Sequence, residues 1–452
     1  MISLWAETAL LPSGWAQGVR IDIVEGRIAR VTPDAAPEGM RLGLVLPAPA
    51  NAHSHAFQRA MAGMTESRGP NPTDSFWTWR QLMFRFLDRL DPDQIEAIAA
   101  FVQMEMLEAG YACNVEFHYL HHAPGGVPYA DLAETSARIA AAAAETGIGL
   151  TLLPVQYQFG GLDRRGLGPG QIRFGNNPDR FARLHAGAGR ALAGLADARL
   201  GVAPHSLRAV APEDLPALRA LAGGAPFHMH LAEQLAEVSE VEAALGARPV
   251  DWVLDNMQPG ADCCFIHCTQ MTPRETEGLA RSGAIAGLCP ITEASLGDGI
   301  FDGLRWFGAG GRIAIGSDSN IRIALAEELR SLDYSQRLRD HSRAALATES
   351  QSTGRRLFEA ACTGGAQAAG RDCGAIAPGL WADLLALDMG QIDLCDKAGD
   401  MALDTWIFAG DDRMVSDVFA AGRHVVRQGR HIARDAIAAR YRAAMARLKE
   451  TA

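Results

Sequence analysis

Leu44-Val45-Leu46-Pro47-Ala48-Pro49-Ala50-Asn51-Ala52-His53-Ser54-His55 reads as a buried strand that ends in two imidazoles. Side chains two apart on a strand point to the same face, so His53 and His55 stand side by side where the apolar run stops. Three further apolar segments end in residues of the same kind: His228-Met229-His230-Leu231-Ala232-Glu233, Phe265-Ile266-His267 and Gly316-Ser317-Asp318-Ser319. Three imidazoles and a carboxylate make a nitrogen and oxygen set suited to one divalent ion such as Zn²⁺. A lone HxH is weak evidence, because histidines also satisfy hydrogen bonds in ordinary cores. Four such strand ends in one chain are much stronger. His228 and His230 share a face by parity, and the residues alone leave open which of them ligates.

Outward from these segments, apolar runs alternate with helical patterns. The runs are 44–50, 112–119, 148–155, 200–205, 227–231, 263–268, 284–289 and 312–317. Ala/Leu/Glu-rich stretches at 95–108, 131–146 and 274–282 repeat with a period near 3.6. Eight parallel-type strands with intervening helices predict an α/β fold, a (β/α)₈ TIM-type barrel over 47–373. The candidate ligands fall at the C-terminal ends of its strands, where such barrels keep their chemistry. Residues 1–46 alternate apolar and polar side chains, as in Val19-Arg20-Ile21-Asp22-Ile23, and 374–430 turns back to β character. These two segments are expected to share one small β-sandwich-like domain. Ile437, Tyr441 and Leu448 then mark a packing helix over 431–452.

Composition narrows the function. A formal charge of −11 argues against a nucleic-acid partner, and no basic stripe interrupts it. The 140–144 alanine run is too short for a membrane span, and the first residues lack the pattern of a signal peptide. Eight cysteines with no CxxC pair read as buried, reduced thiols of a cytoplasmic protein. Lys397 and Lys449 are the chain's two lysines. A carbamylated lysine bridging two metals is therefore not available near the histidines, and the site is expected to be mononuclear.

The chain resembles the amidohydrolase superfamily and, within it, the N-formimino-L-glutamate deiminases of histidine degradation. The resemblance rests on 51–63 (Asn51-Ala52-His53 through Gly63), Asp74-Ser75-Phe76-Trp77-Thr78-Trp79-Arg80, Glu116-Phe117-His118-Tyr119-Leu120-His121-His122 and His205-Ser206-Leu207-Arg208. Two positions depart from the family pattern: Ala52 stands where a larger aliphatic residue is expected, and Asn320 where a histidine is. Asn320 would bear on the surroundings of the metal.

The resemblance implies one Zn²⁺ per chain, held by His53, His55, His230 and Asp318. The family's HxxE spacing, His230 to Glu233, selects His230 and leaves His228 as a packed imidazole. Glu233, His267 and Asp318 are the implied catalytic residues. A bound metal lowers the pKa of water to ~7, and a carboxylate must take the proton. Glu233 takes it and delivers it to the terminal nitrogen, so ammonia leaves and N-formyl-L-glutamate remains. His267 polarises developing charge or orients the water, and Asp318 shares the proton while ligating. A small dicarboxylate also calls for rigid bidentate donors. Arg80 and Arg208 are the candidates, with Gln58, Tyr119 and His205 adding hydrogen bonds. Each has a structural alternative: Arg80 as a cap for the Trp77/Trp79 loop, Arg208 in a salt bridge, His205 as a satisfied strand-end residue, Tyr119 as packing. His118, His121 and His122 are read as structural, and His185, His341, His424 and His431 as surface residues. An aminohydrolase of purines or pyrimidines would want a flat apolar slot and no arginine pair. A barrel that binds metal without turnover would not need both Glu233 and His267. Similar proteins suggest a homodimer.

Overall fold

The computed structural model describes residues 2–66, 83, 84 and 86–450. The Asp74–Arg80 motif, and with it Arg80, lies outside the described residues. Among those residues eight parallel strands carry the site: β1 (Ala50–Ser54), β2 (Cys113–His118), β3 (Gly149–Gln156), β4 (Arg199–Leu200 continuing in Ala203–Pro204), β5 (Phe227–Leu231), β6 (Cys263–His267), β7 (Ile285–Leu288) and β8 (Arg312–Ile315). Their residues are buried on both faces almost throughout, which is why they read as apolar runs rather than as alternating patterns. β1 to β4 pair in order, and so do β5 to β8. Bridges from Val202 to Phe227 and from Ser54 to Asp318 join the two groups. This is a TIM-barrel-type fold with parallel strands.

Helices run between the strands with clear stop and start chemistry. Pro92–Glu108 and Pro273–Arg281 each open on a capping box, Asp91 with Gln94 and Thr272 with Glu275. Glu134–Thr146 ends at Gly147, whose φ of +73° is cheap only without a side chain. No helix of the described residues is long and apolar enough to cross a membrane.

One sequence expectation shifts here. The run 44–50 is not the first barrel strand. Met40–Pro47 pairs parallel with Ile2–Leu11 and antiparallel with Leu384–Leu387, in the other sheet. The chain then passes through Pro47-Ala48-Pro49 into β1. Two prolines without N–H donors break the ladder at that point, so one apolar run serves two sheets. The remaining strands of that sheet are Gly14–Val24, Arg27–Thr32, Val415–Ala420, Arg423–Arg427 and Arg430–His431, giving eight strands drawn from both ends of the chain. One face buries Leu4, Ile21, Leu42, Val45, Leu384 and Phe419.

The last helix, Arg434–Glu450, buries Ile437, Ala444 and Leu448 and stacks Tyr441 on Phe101 with ring centroids 4.1 Å apart. Of the four histidines expected at the surface, only His341 is exposed; His185 and His424 are half-buried. His431 is buried, with Nε2 on the Thr146 carbonyl at 2.8 Å. Burial there follows from the packing of the C-terminal segment on the barrel helices, which one-dimensional spacing does not reveal.

A buried ion cluster ties sheet to barrel. Arg371 forms two bonds with the Asp383 carboxylate, at 2.7 and 3.0 Å, and reaches the Asp197 carboxylate at 2.9 Å. Asp197 also takes Arg423 at 2.7 Å. Gly149, the first residue of β3, makes room: a Cβ there would lie 2.7 Å from the guanidinium carbon of Arg371. Arg371→Met would leave two buried carboxylates short of their cation. It is expected to lower the stability of the fold by about 3–5 kcal/mol without altering ligand content at the opposite end of the barrel. Denaturant unfolding together with metal analysis checks both halves of that expectation.

Candidate metal centre and active site

β1 delivers His53 and His55 to the C-terminal mouth of the barrel, β5 delivers His230 and β6 delivers His267. Asp318 follows the end of β8 in a left-handed conformation, φ +46°. Gly316 allows that approach, because a Cβ there would lie 2.8 Å from the backbone nitrogen of His53. His53 and His55 bring their Nε2 atoms to 3.2 Å from each other. Asp318 Oδ1 sits 3.2 Å from His55 Nε2 and 3.5 Å from His53 Nε2. With His230, the four offer ligand atoms that all lie within 4.8 Å of one another, and all four residues are buried.

The outward-facing nitrogens show what this cluster is built for. His55 Nδ1 is 2.9 Å from the carbonyl of Phe117, and His230 Nδ1 is 3.0 Å from that of His205. A carbonyl accepts and never donates, so each ring carries its proton on Nδ1 and turns a lone pair on Nε2 into the cluster. Burial lowers the pKa of all three imidazoles, that of His53 to about 3, helped there by the charge of His55. Burial works against Asp318 as an anion, yet the hydrogen bond from His53 and the charges of His55 and His53 hold its carboxyl well below the usual range. Neutral imidazoles and an ionised carboxylate are the protonation states that a divalent ion requires. The donor set fits a metal.

Beside the cluster lies a second group of titratable side chains. His267 Nε2 is 3.9 Å from both Glu233 Oε1 and Asp318 Oδ2. Burial opposes charge on His267, but Glu233, Glu293 and Asp318 outweigh it and push its pKa up to about 10. Burial raises the carboxyl of Glu233, against the lowering pull of His267 and Arg208. Arg208 Nη2 is 3.7 Å from Glu233 Oε2. The backbone is bent to serve this geometry: Ala232 and His267 have φ of +52° and +73°. Left-handed non-glycine residues cost of order 1–3 kcal/mol each and gather at sites where orientation matters.

A cavity opens onto these groups. His55, His230, Glu233, His267 and Asp318 line it, as do the expected substrate contacts Gln58, Tyr119, His205 and Arg208. His53 stands behind this wall. Gln58 Nε2 donates to the Tyr119 hydroxyl at 2.8 Å, and its buried Oε1 has no partner among the described residues. His228 is buried away from the cluster, with Nε2 on the Ala368 carbonyl at 2.8 Å. His118, His121 and His122 bond Thr135, the Val155 carbonyl and the Gly175 carbonyl, which are structural contacts.

Sequence reading missed two kinds of residue. Glu293, which faces His267 Nδ1 at 3.4 Å and accepts from the Cys289 N–H at 2.8 Å, lies in the first turn of the helix Pro290–Leu296 that follows β7. Its place just past a strand end was the available signal. Tyr157, Phe174 and Leu296 form an apolar part of the cavity wall. Tyr157 directly follows β3, but Phe174 ends a three-residue 3-10 turn and Leu296 a seven-residue helix, both too short to show a period.

The amidohydrolase family model matches residues 44–425, and that of the formimidoylglutamate deiminase HutF N-terminal domain matches residues 1–40. The chain belongs to the amidohydrolase family. Among its relatives, a formimidoylglutamate deiminase of Pseudomonas aeruginosa is 49% identical over 438 residues, 95% of this chain and 96% of that one. The crystal structure of an amidohydrolase from Brucella melitensis superposes with a TM-score of 0.95 at 46% identity, covering 99% of this chain and 100% of that one. An adenosine deaminase from Xanthomonas campestris, solved with bound zinc, shares the amidohydrolase fold at a TM-score of 0.82 and 20% identity, over 99% and 98% of the two chains.

The two histidines of β5 provide a direct test of the ligand geometry. His230→Asn should lose the ion, whereas His228→Asn should keep about one per chain. Elemental analysis of both purified variants decides it, and loss in the second would show that the Ala368 contact is the wrong place for His228.

Proposed function

We propose that the chain hydrolyses N-formimino-L-glutamate to N-formyl-L-glutamate and ammonia in histidine degradation, with Zn²⁺ as its ion. The observation that carries this reading is the likeness to the Pseudomonas aeruginosa deiminase along nearly the whole of both chains. The cavity supplies chemistry to match. His53, His55, His230 and Asp318 would hold one divalent ion per chain, which supplies water activation near neutral pH.

The remaining work belongs to the side chains. Glu233 accepts a proton from the attacking water as its oxygen bonds to the formimino carbon. A carboxyl raised by burial is a better base, and then a better acid, near pH 7. Glu233 passes the proton to the terminal nitrogen; as the hydroxyl of the tetrahedral centre becomes the formyl carbonyl, its remaining proton moves through Glu233 to the same nitrogen, the bond from carbon to that nitrogen breaks, and ammonia departs. His267 lies close enough to both Glu233 and Asp318 to stabilise charge on the tetrahedral carbon centre. Arg208 binds one substrate carboxylate, and Arg80 is the second arginine the sequence offers for the other. Gln58, Tyr119 and His205 add hydrogen bonds to the bound substrate. The eight unpaired cysteines suit a reducing, cytoplasmic setting.

Ammonia release from N-formimino-L-glutamate by metal-analysed protein tests the reaction, with formimino-aspartate and an aminopurine alongside. Fast release from the glutamate compound, abolished by chelation, is the expected result. Release from the aminopurine alone would transfer the assignment to a heterocycle aminohydrolase. Glu233→Gln should retain the ion and lose ~10²–10⁴ in kcat. Arg208→Met should raise KM by ~10–100-fold, since it removes a charge-assisted contact worth about 1.5–3 kcal/mol; unchanged substrate dependence would make Arg208 purely structural.

A further inference from the structure

Ser54 lies between His53 and His55, and Ser317 lies beside Asp318, so two hydroxyls flank three of the four converging residues. Asn320 joins them. Its Oδ1 accepts from the Ser317 hydroxyl at 2.6 Å, and its Nδ2 donates to the Ser54 oxygen at 3.1 Å. On one side the chain of bonds continues to Asn51, whose Nδ2 donates to Ser317 Oγ at 2.7 Å. Asn51 Oδ1 takes the backbone N–H groups of His53 and Ser317, at 3.3 and 3.2 Å. On the other side the Ser54 hydroxyl lies beside the Glu116 carboxyl and favours its ionised form. Glu116 accepts from the Ala56 N–H at 2.7 Å and from Asn114 Nδ2 at 3.1 Å.

Each hydroxyl has one proton, so the protons run one way, from Asn51 to Ser317, from Ser317 to Asn320 and from Asn320 to Ser54. Asn51, Ser54, Glu116, Ser317 and Asn320 are all at most 1% exposed. The chain of bonds crosses the seam where β8 meets β1. Backbone contacts there are few: the Ser54–Asp318 bridge, the His55 N–H on the Asp318 carbonyl, and the Ser317 and Asp318 N–H groups on the His53 carbonyl. Asn320 itself is held at φ +54°, which asparagine tolerates better than most residues.

We propose that Asn320, acting through Ser54 and Ser317, is a positioning residue that fixes His53, His55 and Asp318 relative to one another, and that residence of the ion depends on it. The proposal rests on the ligand reading given under Proposed function. Residue 320 must present an acceptor to one hydroxyl and a donor to the other, at the reach of an asparagine. An aspartate would offer acceptors to both. Ser54 would then have to turn its single proton towards residue 320. A leucine of similar volume would strand both hydroxyls in a buried network, where a half-satisfied set costs more than none.

The test loads the parent protein, Asn320→Leu, Asn320→Asp, Ser54→Ala and Ser54→Thr with Co²⁺. Release into excess chelator is followed by the visible absorption of the bound ion. Arg371→Met, destabilised at the far end of the barrel, serves as a control for general loss of stability. The two Asn320 variants and Ser54→Ala should release the ion ~10–100-fold faster than the parent, the usual cost of losing an orienting partner. Ser54→Thr keeps its hydroxyl and should stay near the parental rate, as should Arg371→Met. Parental rates in the Asn320 variants would overturn the proposal. So would an equal acceleration in Arg371→Met, since that would reduce Asn320 to a contribution to stability. A parent protein that takes up no ion would overturn the ligand reading itself. Because no substrate enters the assay, an ion-binding protein that releases no ammonia would leave this inference standing and remove only the deiminase assignment.

Discussion

Four lone-pair-bearing atoms held within a few ångströms of each other, out of reach of solvent, repel or ignore one another until a cation sits between them. The barrel mouth is arranged around that constraint. His55 keeps its proton on Nδ1, against the Phe117 carbonyl, so its Nε2 offers only a lone pair to its neighbours. Only Asp318 brings charge, and it is kept ionised despite burial. The left-handed turn at Asp318 and the bare Gly316 beside His53 follow from the need to place that one carboxylate. The same ionised Asp318, with Glu233 and Glu293, draws His267 towards its protonated form. Acid–base chemistry and ligand chemistry in this cavity are two consequences of one electrostatic arrangement.

Much of this was legible in the sequence because parallel strands are buried on both faces. Their apolar runs stand out, and a histidine or aspartate at the end of such a run is conspicuous. His53, His55, His230, Glu233, His267 and Asp318 were all visible in that way, and all but His53 line the cavity together with Gln58, Tyr119, His205 and Arg208. What the sequence hid has equally definite causes. The run 44–50 crosses from one sheet to another without any change in hydrophobicity, and only its two prolines mark the junction. His228 and His230 are equivalent by parity; the carbonyl of Ala368, far away in sequence, separates them. Phe174 and Leu296 reach the cavity from the ends of a 3-10 turn and a seven-residue helix, too short for periodicity to mark them. His431 is buried by the return of the C-terminal segment onto the barrel, a tertiary event.

The two ends of the barrel have different tasks. Arg371, Asp197 and Asp383 gather near the N-terminal ends of β3 and β4 and bind the outer sheet to the barrel. The titratable groups of the cavity gather at the other end. Barrel folds of this type commonly separate stability from chemistry in this way, and here the division can be assigned to individual ion pairs.

The acceptors that orient His55 and His230 are the main-chain carbonyls of Phe117 and His205. Every amino acid carries that carbonyl, so no single substitution at 117 or 205 deletes the bond that aims the ligand. The side chain of His205 meanwhile faces the cavity where substrate would sit. One residue therefore contributes an invariant part to one task and a replaceable part to another. Exchanging the side chain at 205 would reshape the cavity wall, and the orientation of His230 would persist through the backbone without having to be selected for again.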